Sequence, residues 1–147
     1  MCLLVNRKWL KYTDEDVEAW KVVDVDYENE SWTGPYKYND RVFPFNKVVH
    51  EEGPDMENAA FGNNLIIGEG MFHFHIYYDA ATRYLKMLRN SALDSKNFRI
   101  CKCTVPKQSL FARGKNEGVS DRLVVHKMRV MEKDESMEKI DEQNIEQ

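Results

Sequence analysis

The chain has few cysteines, few prolines and no long apolar run, and each shortage excludes a class of protein. Three cysteines among 147 residues cannot build a disulfide framework, and an odd number is typical of reduced thiols in a cytosolic protein. Four prolines, seven glycines and 42% hydrophobic residues exclude collagen-like and fully disordered chains. No run of apolar residues is long enough to cross a bilayer, and the N-terminal residues lack the layout of a signal peptide. We therefore expect a cytoplasmic protein without a membrane partner.

Net charge is also small outside one segment. The formal net charge is −4, and residues 132–147 alone contain seven acids and two lysines, which leaves +1 for the rest of the chain. A neutral body lacks the basic surface that contacts to a phosphate backbone require, so general nucleic-acid binding is not expected. We expect residues 132–147 to form an acidic, solvated and partly helical C-terminal tail.

Side-chain periodicity predicts a single domain over residues 1–131. Apolar and polar residues alternate over 19–27, 71–78 and 98–105, and this alternation is typical of strands. The spacing of Ala81, Tyr84, Leu85 and Leu88 predicts one main helix over 80–90, with Asp79 as its N-cap.

Further short strands are expected around this frame. They include an edge strand near the N-terminus and a last strand over 121–131, whereas residues 51–64 are predicted to be a long polar loop. The expected fold class is therefore α+β, with an antiparallel or mixed sheet of about five to seven strands and the helix over 80–90 packed on it.

The strand over 71–78 has two chemically different faces. Phe72, Phe74 and Ile76 alternate with the polar residues His73, His75 and Tyr77, while Glu69 lies just before the strand. The N-terminus of the predicted helix follows directly, and helix N-termini favour anions. We therefore expect a nucleotide or another phosphate-containing ligand to bind here, and the alternative is a solvated strand face or a subunit interface. The predicted ligand-binding residues are Glu69, His73, His75 and Tyr77.

Two pairs of residues have the spacing with which one strand can share a metal ion, namely His73 with His75 and Cys101 with Cys103. The cysteines share a face with Val105, whereas the histidines lie opposite the apolar face of their own strand. The two pairs then point to opposite sides of the sheet, so no metal site is predicted. Because both cysteines lie in the middle of a strand, we expect inert, buried thiols rather than nucleophiles.

Five aromatic residues fall within 14 positions that contain two prolines and few charges. Aromatic side chains are common hot spots of protein contacts, and they also fill protein cores. We expect this segment to contribute an interface with a protein partner or with a second copy of the chain. The residues are Trp32, Tyr36, Tyr38, Phe43 and Phe45.

The order of the elements over residues 65–131 is similar to that of a known group of proteins. Gly70-Met71-Phe72-His73-Phe74 leads into a helix, and strands at 99–105 and 123–130 follow. This arrangement resembles a group of small uncharacterised bacterial and phage proteins with a glycine–Phe–His–aromatic strand, although here Met71 separates the glycine from the phenylalanine. The resemblance implies the cytoplasm of a bacterium, or of its host for a phage protein, and it implies no reaction. A glycine–aromatic strand before a helix is also loosely similar to the NAD-contacting strand of ADP-ribosyltransferases.

Three functions therefore remain open. The first is a non-catalytic binding or interaction module that acts as an oligomer. The second is a small enzyme acting on a nucleotide, with His73 or His75 as acid/base and Glu69 assisting. The third is a structural component, for instance of a virion, that uses the aromatic segment and the acidic tail as contacts. The sequence identifies no cofactor.

Overall fold

A computed structural model describes residues 3–35, 41–68, 70–91 and 97–127, and within these ranges the chain is mostly β-structure. The two α-helices are α1 (Met56–Ala59) and α2 (Tyr78–Asn90), and a 3-10 turn spans Arg7–Trp9. The strands are β1 (Leu3–Asn6), β2 (Lys11–Tyr12), β3 (Val17–Asp26), β4 (Ser31–Thr33), β5 (Phe43–Pro44), β6 (Val49–His50), β7 (Ala60–Phe61), β8 (Asn64–Ile67), β9 (Phe72–His75), β10 (Phe98–Val105), β11 (Leu110–Arg113), β12 (Glu117–Ser120) and β13 (Arg122–Val125). The predicted acidic tail over 132–147 lies outside the described residues.

The predicted α+β class with five to seven strands is wrong, because the described residues form thirteen strands and one main helix. Several of the additional strands contain only two residues, too few to show an alternating pattern. The segment 51–64, predicted to be a long polar loop, contains α1 and β7. The last strand, predicted over 121–131, corresponds to the shorter β13, and residues 128–131 lie outside the described residues. The prediction of one main helix is confirmed, although Asp79 lies in its first turn rather than at its N-cap.

The strands form a three-stranded and a ten-stranded sheet, and every pairing is antiparallel. The small sheet has the order β1-β8-β7. The main path of the large sheet is β2-β11-β12-β9-β3-β10-β13-β6, and β4 pairs with both β3 and β5 beside that path. β3 and β10 form the longest ladder, from Phe98 opposite Asp24 to Val105 opposite Val17.

The large sheet must curl until its two halves meet. β12 and β13 are separated by four strand spacings along the sheet, which would be about 19 Å in a flat sheet. Asp121 alone joins them, and two chain steps reach at most about 7 Å. Asp121 also fixes the bend, since its carboxylate accepts the Leu110 N–H at 2.8 Å and its carbonyl accepts the Glu51 N–H at 2.7 Å.

The inner face of the curled sheet holds the main core. Val49 of β6, at one end of the path, and Phe111 of β11, near the other end, contribute to one cluster there, as the curl requires. Trp32, Phe43 and Phe72 form its aromatic centre, with ring centroids 4.7 to 6.2 Å apart. Cys101 and Cys103 lie in this cluster and are buried, as predicted.

Two elements cover the outer face of the same sheet. α2 packs Ala81, Leu85 and Leu88 against Val22 of β3 and Ile100 of β10. The small sheet covers β11 and β12 through a second cluster, which contains Leu3, Val5, Leu65, Ile67, Met71, Ala112 and Val119. No helix within the described ranges is long and apolar enough to span a membrane.

A glycine makes the entry to β9 possible. Gly70 has φ +82°, and its carbonyl accepts the Gly53 N–H at 2.8 Å. A Cβ atom on Gly70 would collide with the Gly53 carbonyl, so only glycine fits there.

Candidate functional site

The two histidines of β9 lie on the opposite face from Phe72 and Phe74, as predicted, but that face is not a solvent surface. The alternation of β9 puts both histidines on this face. His73 contacts β8 of the small sheet, and His75 contacts α2. A polar pattern on one face of a strand therefore corresponds here to a second buried layer. Both histidines thus lie between the large sheet and the elements that cover it, and each one contacts residues of the fold.

His73 is held between two backbone carbonyl groups. Its Nε2 lies 2.9 Å from the Ile67 oxygen, and its Nδ1 lies 3.2 Å from the Met71 oxygen. The pKa of His73 is lowered to about 4, mainly by burial. The Lys21 charge also lowers this pKa, whereas the hydrogen bond to Ile67 raises it. A neutral imidazole has one N–H, so it can donate to only one of these two carbonyl groups. The shorter contact, to Ile67, links β9 to β8 and leaves the ring engaged within the fold.

His75 is only 4% exposed and lies under α2. Its ring contacts that of Tyr84, with centroids 5.2 Å apart, and its Nδ1 has no hydrogen-bond partner among the described residues. Burial, together with the charges of Lys21 and Arg83, lowers its pKa to about 4. His75 is therefore neutral near pH 7 and is separated from solvent by the tyrosine ring.

The other two predicted ligand-binding residues have different positions. Tyr77 precedes α2 at the N-cap position and is 53% exposed, but its side chain makes no capping hydrogen bond. Glu69 lies outside the described residues. Of the four predicted ligand-binding residues, Tyr77 is exposed, whereas His73 and His75 are covered by other elements. Ligand binding at this face stays a prediction.

The predicted aromatic interface is distributed in a similar way. Trp32 and Phe45 are buried in the inner core, and Phe43 packs against them. The indole Nε1 of Trp32 is buried and has no hydrogen-bond partner within the described part of the chain. Tyr36 and Tyr38 lie outside the described residues, so an interface at this segment now depends on them and stays a prediction.

One charged side chain shares the inner face with the thiols. Lys21 lies between Ala19 and Val23 along β3 and opposite Cys101 of β10, and its Nζ donates a hydrogen bond to the His73 carbonyl. Burial lowers the pKa of Lys21 to about 8, while the neighbouring thiols raise it. Burial also raises the pKa of both thiols, that of Cys103 to about 12, so they stay protonated near pH 7. A protonated thiol is a poor nucleophile.

The accessible chemistry lies elsewhere, at the free edge of the large sheet. We call residues 7–16 the β2 edge. β2 is the first strand of the sheet path, and its two residues are both exposed. Trp9 is 54% exposed and Tyr12 is 68% exposed.

The backbone at the β2 edge is partly unpaired. The Thr13 N–H donates to the Ser109 carbonyl at 2.9 Å, so residue 13 directs its backbone groups toward the neighbouring strand β11. In an antiparallel ladder the direction alternates from residue to residue, so the N–H and C=O of Tyr12 point away from the sheet. A two-residue strand is too short to show periodicity, so the sequence does not predict this edge. The sequence feature that marks it is the pair Trp9 and Tyr12, preceded by basic residues and followed by acidic residues.

Among the residues that the structure describes, no group of three or more His, Cys, Asp or Glu side chains is placed to hold a metal ion. Comparison of the chain with protein-family models, with curated proteins and with solved structures found no match.

Proposed function

We propose that this protein is a non-catalytic interaction module that binds another protein chain at the β2 edge. The observation that carries the proposal is the coincidence of two exposed aromatic side chains, Trp9 and Tyr12, with outward-pointing backbone groups at a sheet edge. Edge strands recruit a further strand through main-chain hydrogen bonds, and neighbouring aromatic side chains supply contact area.

The chemistry of the buried groups supports a binding role over catalysis. His73 is engaged by carbonyl oxygens, His75 is covered by Tyr84, and both have pKa values near 4. A general base works best with a pKa near the working pH and needs contact with substrate. The buried side chains that carry acid–base chemistry therefore act within the fold, whereas the exposed edge has groups still available for a partner.

A photo-cross-linking side chain at the proposed surface tests the function. The residue p-benzoylphenylalanine replaces Tyr12 in one variant and Tyr77 in a matched control, in cells that make the full chain. The control has the same native residue type and is 53% exposed, next to the face at which a ligand was predicted.

We expect irradiation to give a discrete cross-linked protein adduct at position 12 and little at position 77. Adducts at position 77 alone would move the interaction to the start of α2. The absence of an adduct at position 12 would contradict the proposal, provided that circular dichroism shows both variants to be folded.

A further inference from the structure

The β2 edge carries separated charges on either side of one exposed tyrosine. Arg7, Lys8 and Lys11 precede Tyr12, and Asp14, Glu15 and Asp16 follow Thr13. All six charged side chains belong to exposed residues. Asp16 also accepts the Lys107 backbone N–H at 2.8 Å, and Lys8 lies over the Trp9 ring at 5.7 Å. No ion pair within the described residues engages this segment, so its charges are available to a partner.

This charge order complements itself under a two-fold rotation. When two identical strands pair antiparallel about one central residue, the part before that residue in one strand lies beside the part after it in the other. A two-fold axis at Tyr12 therefore turns Lys11 and the 3-10 turn that holds Arg7 and Lys8 toward the acidic residues 14–16 of the second copy, and the reverse. Parallel pairing would instead put like charges together, which is unfavourable.

The backbone groups of Tyr12 point in the direction that this pairing needs. The N–H and C=O groups of Tyr12 point outward, so two copies can exchange a pair of N–H···O=C bonds at this residue. Leu10 is less available, because its N–H already donates to the Arg7 carbonyl at 3.2 Å. The backbone contribution is thus limited to the centre, and charge and aromatic contacts must supply the rest.

We infer that the partner at the β2 edge is a second copy of this chain, bound antiparallel about a two-fold axis at Tyr12. This inference rests on the proposed function and names its partner. Because the backbone contact is short and the charges are exposed, the dimer should be weak and sensitive to salt. Its specificity comes from the order of charges, which a different partner would have to match.

Sedimentation velocity of the purified full chain tests the inference. The double variant Lys8→Glu/Lys11→Glu leaves Arg7 as the one basic residue of the edge, and Asp14→Lys/Glu15→Lys leaves Asp16 as its one acidic residue. Each variant should repel itself and weaken dimerisation by about tenfold or more. An equimolar mixture should associate again, because the mainly acidic edge of one variant lies beside the mainly basic edge of the other.

A matched control separates this effect from net charge. Lys47→Glu/Lys115→Glu and Glu28→Lys/Glu52→Lys change the net charge by the same amounts at exposed positions outside the edge. We expect each control to dimerise as the wild type does, with no gain on mixing. Wild-type dimerisation should also weaken when ionic strength rises from about 0.1 M to about 1 M, over which the Debye length falls from about 10 Å to about 3 Å.

Two outcomes would overturn the inference, and they differ in what they say about the proposed function. If the wild type stays monomeric while the cross-linker at position 12 captures a different protein, the edge binds a partner but not a second copy. If a dimer forms and mixing the edge variants restores nothing beyond the controls, the dimer uses another surface. A monomer with no adduct at position 12 would reject both proposals.

Discussion

The buried ammonium of Lys21 should cost the folded protein stability near neutral pH. Its pKa is about 8 in the folded chain and 10.5 for the free side chain, and this difference corresponds to about 3 kcal/mol. Lys21→Met keeps the length of the side chain but removes its charge. The variant also loses the hydrogen bond to the His73 carbonyl, which contributes about 1 to 1.5 kcal/mol. The expected net effect at pH 7 is a gain of about 1.5 to 2 kcal/mol in the free energy of unfolding.

The sign of the pH dependence follows from proton binding. Between pH 8 and 10.5 the unfolded chain holds the lysine proton and the folded chain does not, so this residue makes stability rise with pH over that interval. The two buried thiols act in the opposite direction above about pH 9, since they ionise more readily when unfolded. The thiols are present in both proteins, but the Lys21 charge also lowers the pKa of both thiols. The difference between wild type and Lys21→Met therefore reports the lysine mainly below about pH 9, before the thiols of the unfolded chain ionise.

Urea unfolding followed by tryptophan fluorescence, at pH 7, 8, 9 and 10, measures this difference. The advantage of Lys21→Met should be constant up to about pH 8 and should then shrink toward pH 10. Lys47→Met, at an exposed lysine, should follow the wild type at every pH. A Lys21→Met protein that is less stable than wild type at pH 7, or a difference that does not change with pH, would refute the reasoning that burial dominates at Lys21.

Two further changes probe the layers on either side of β9. The pKa of His75 is about 4 when folded and 6.5 when free, so its contribution is full above pH 6.5 and is lost as the pH falls toward 4. His75→Phe should therefore reduce the loss of unfolding free energy at acid pH, by about 3 kcal/mol at most. If urea titrations at pH 7 and pH 5 show the same loss for the variant and the wild type, this expectation is wrong. Gly118→Ala would place a Cβ atom 2.6 Å from Cε2 of Phe74. It should lower the free energy of unfolding by about 1 to 3 kcal/mol in urea titrations at pH 7, and a smaller loss in a Phe74→Leu background would confirm that this overlap is the cause.

The elements with clear periodicity were predictable from the sequence. The alternation over 98–105 corresponds to β10 with the same bounds, and the helical spacing over 80–90 corresponds to α2. The opposite directions of the histidines and of Phe72 and Phe74 also follow from the alternation alone. These features are local, because each side chain's direction depends on its own strand or helix.

The features that decide the candidate site are not local. A polar face predicts exposure only when nothing covers it. α2 and the small sheet, in which β8 pairs with β1 from the start of the chain, fold back over His73 and His75, and the alternation within β9 does not report this packing. Trp32 and Phe45 could equally have been surface or core residues until the curl of the sheet enclosed them. The sheet edge at β2 depends on pairing with Leu110 and Phe111, about 100 residues away, and no pattern in 11–12 reports that contact.

The single-residue joint at Asp121 has a consequence for the order in which the protein can be completed during synthesis. β3, β9 and β10 leave the ribosome before β12 and β13, yet the outer edges of β9 and β10 pair with those last two strands. Until Val125 has emerged, the nascent chain carries two unsatisfied strand edges beside an open aromatic layer that contains Phe72 and Phe74. Such edges pair readily with other chains. A chain cut short before residue 121 should therefore aggregate rather than form a smaller stable domain, and chaperone demand should be highest until residue 125 has emerged.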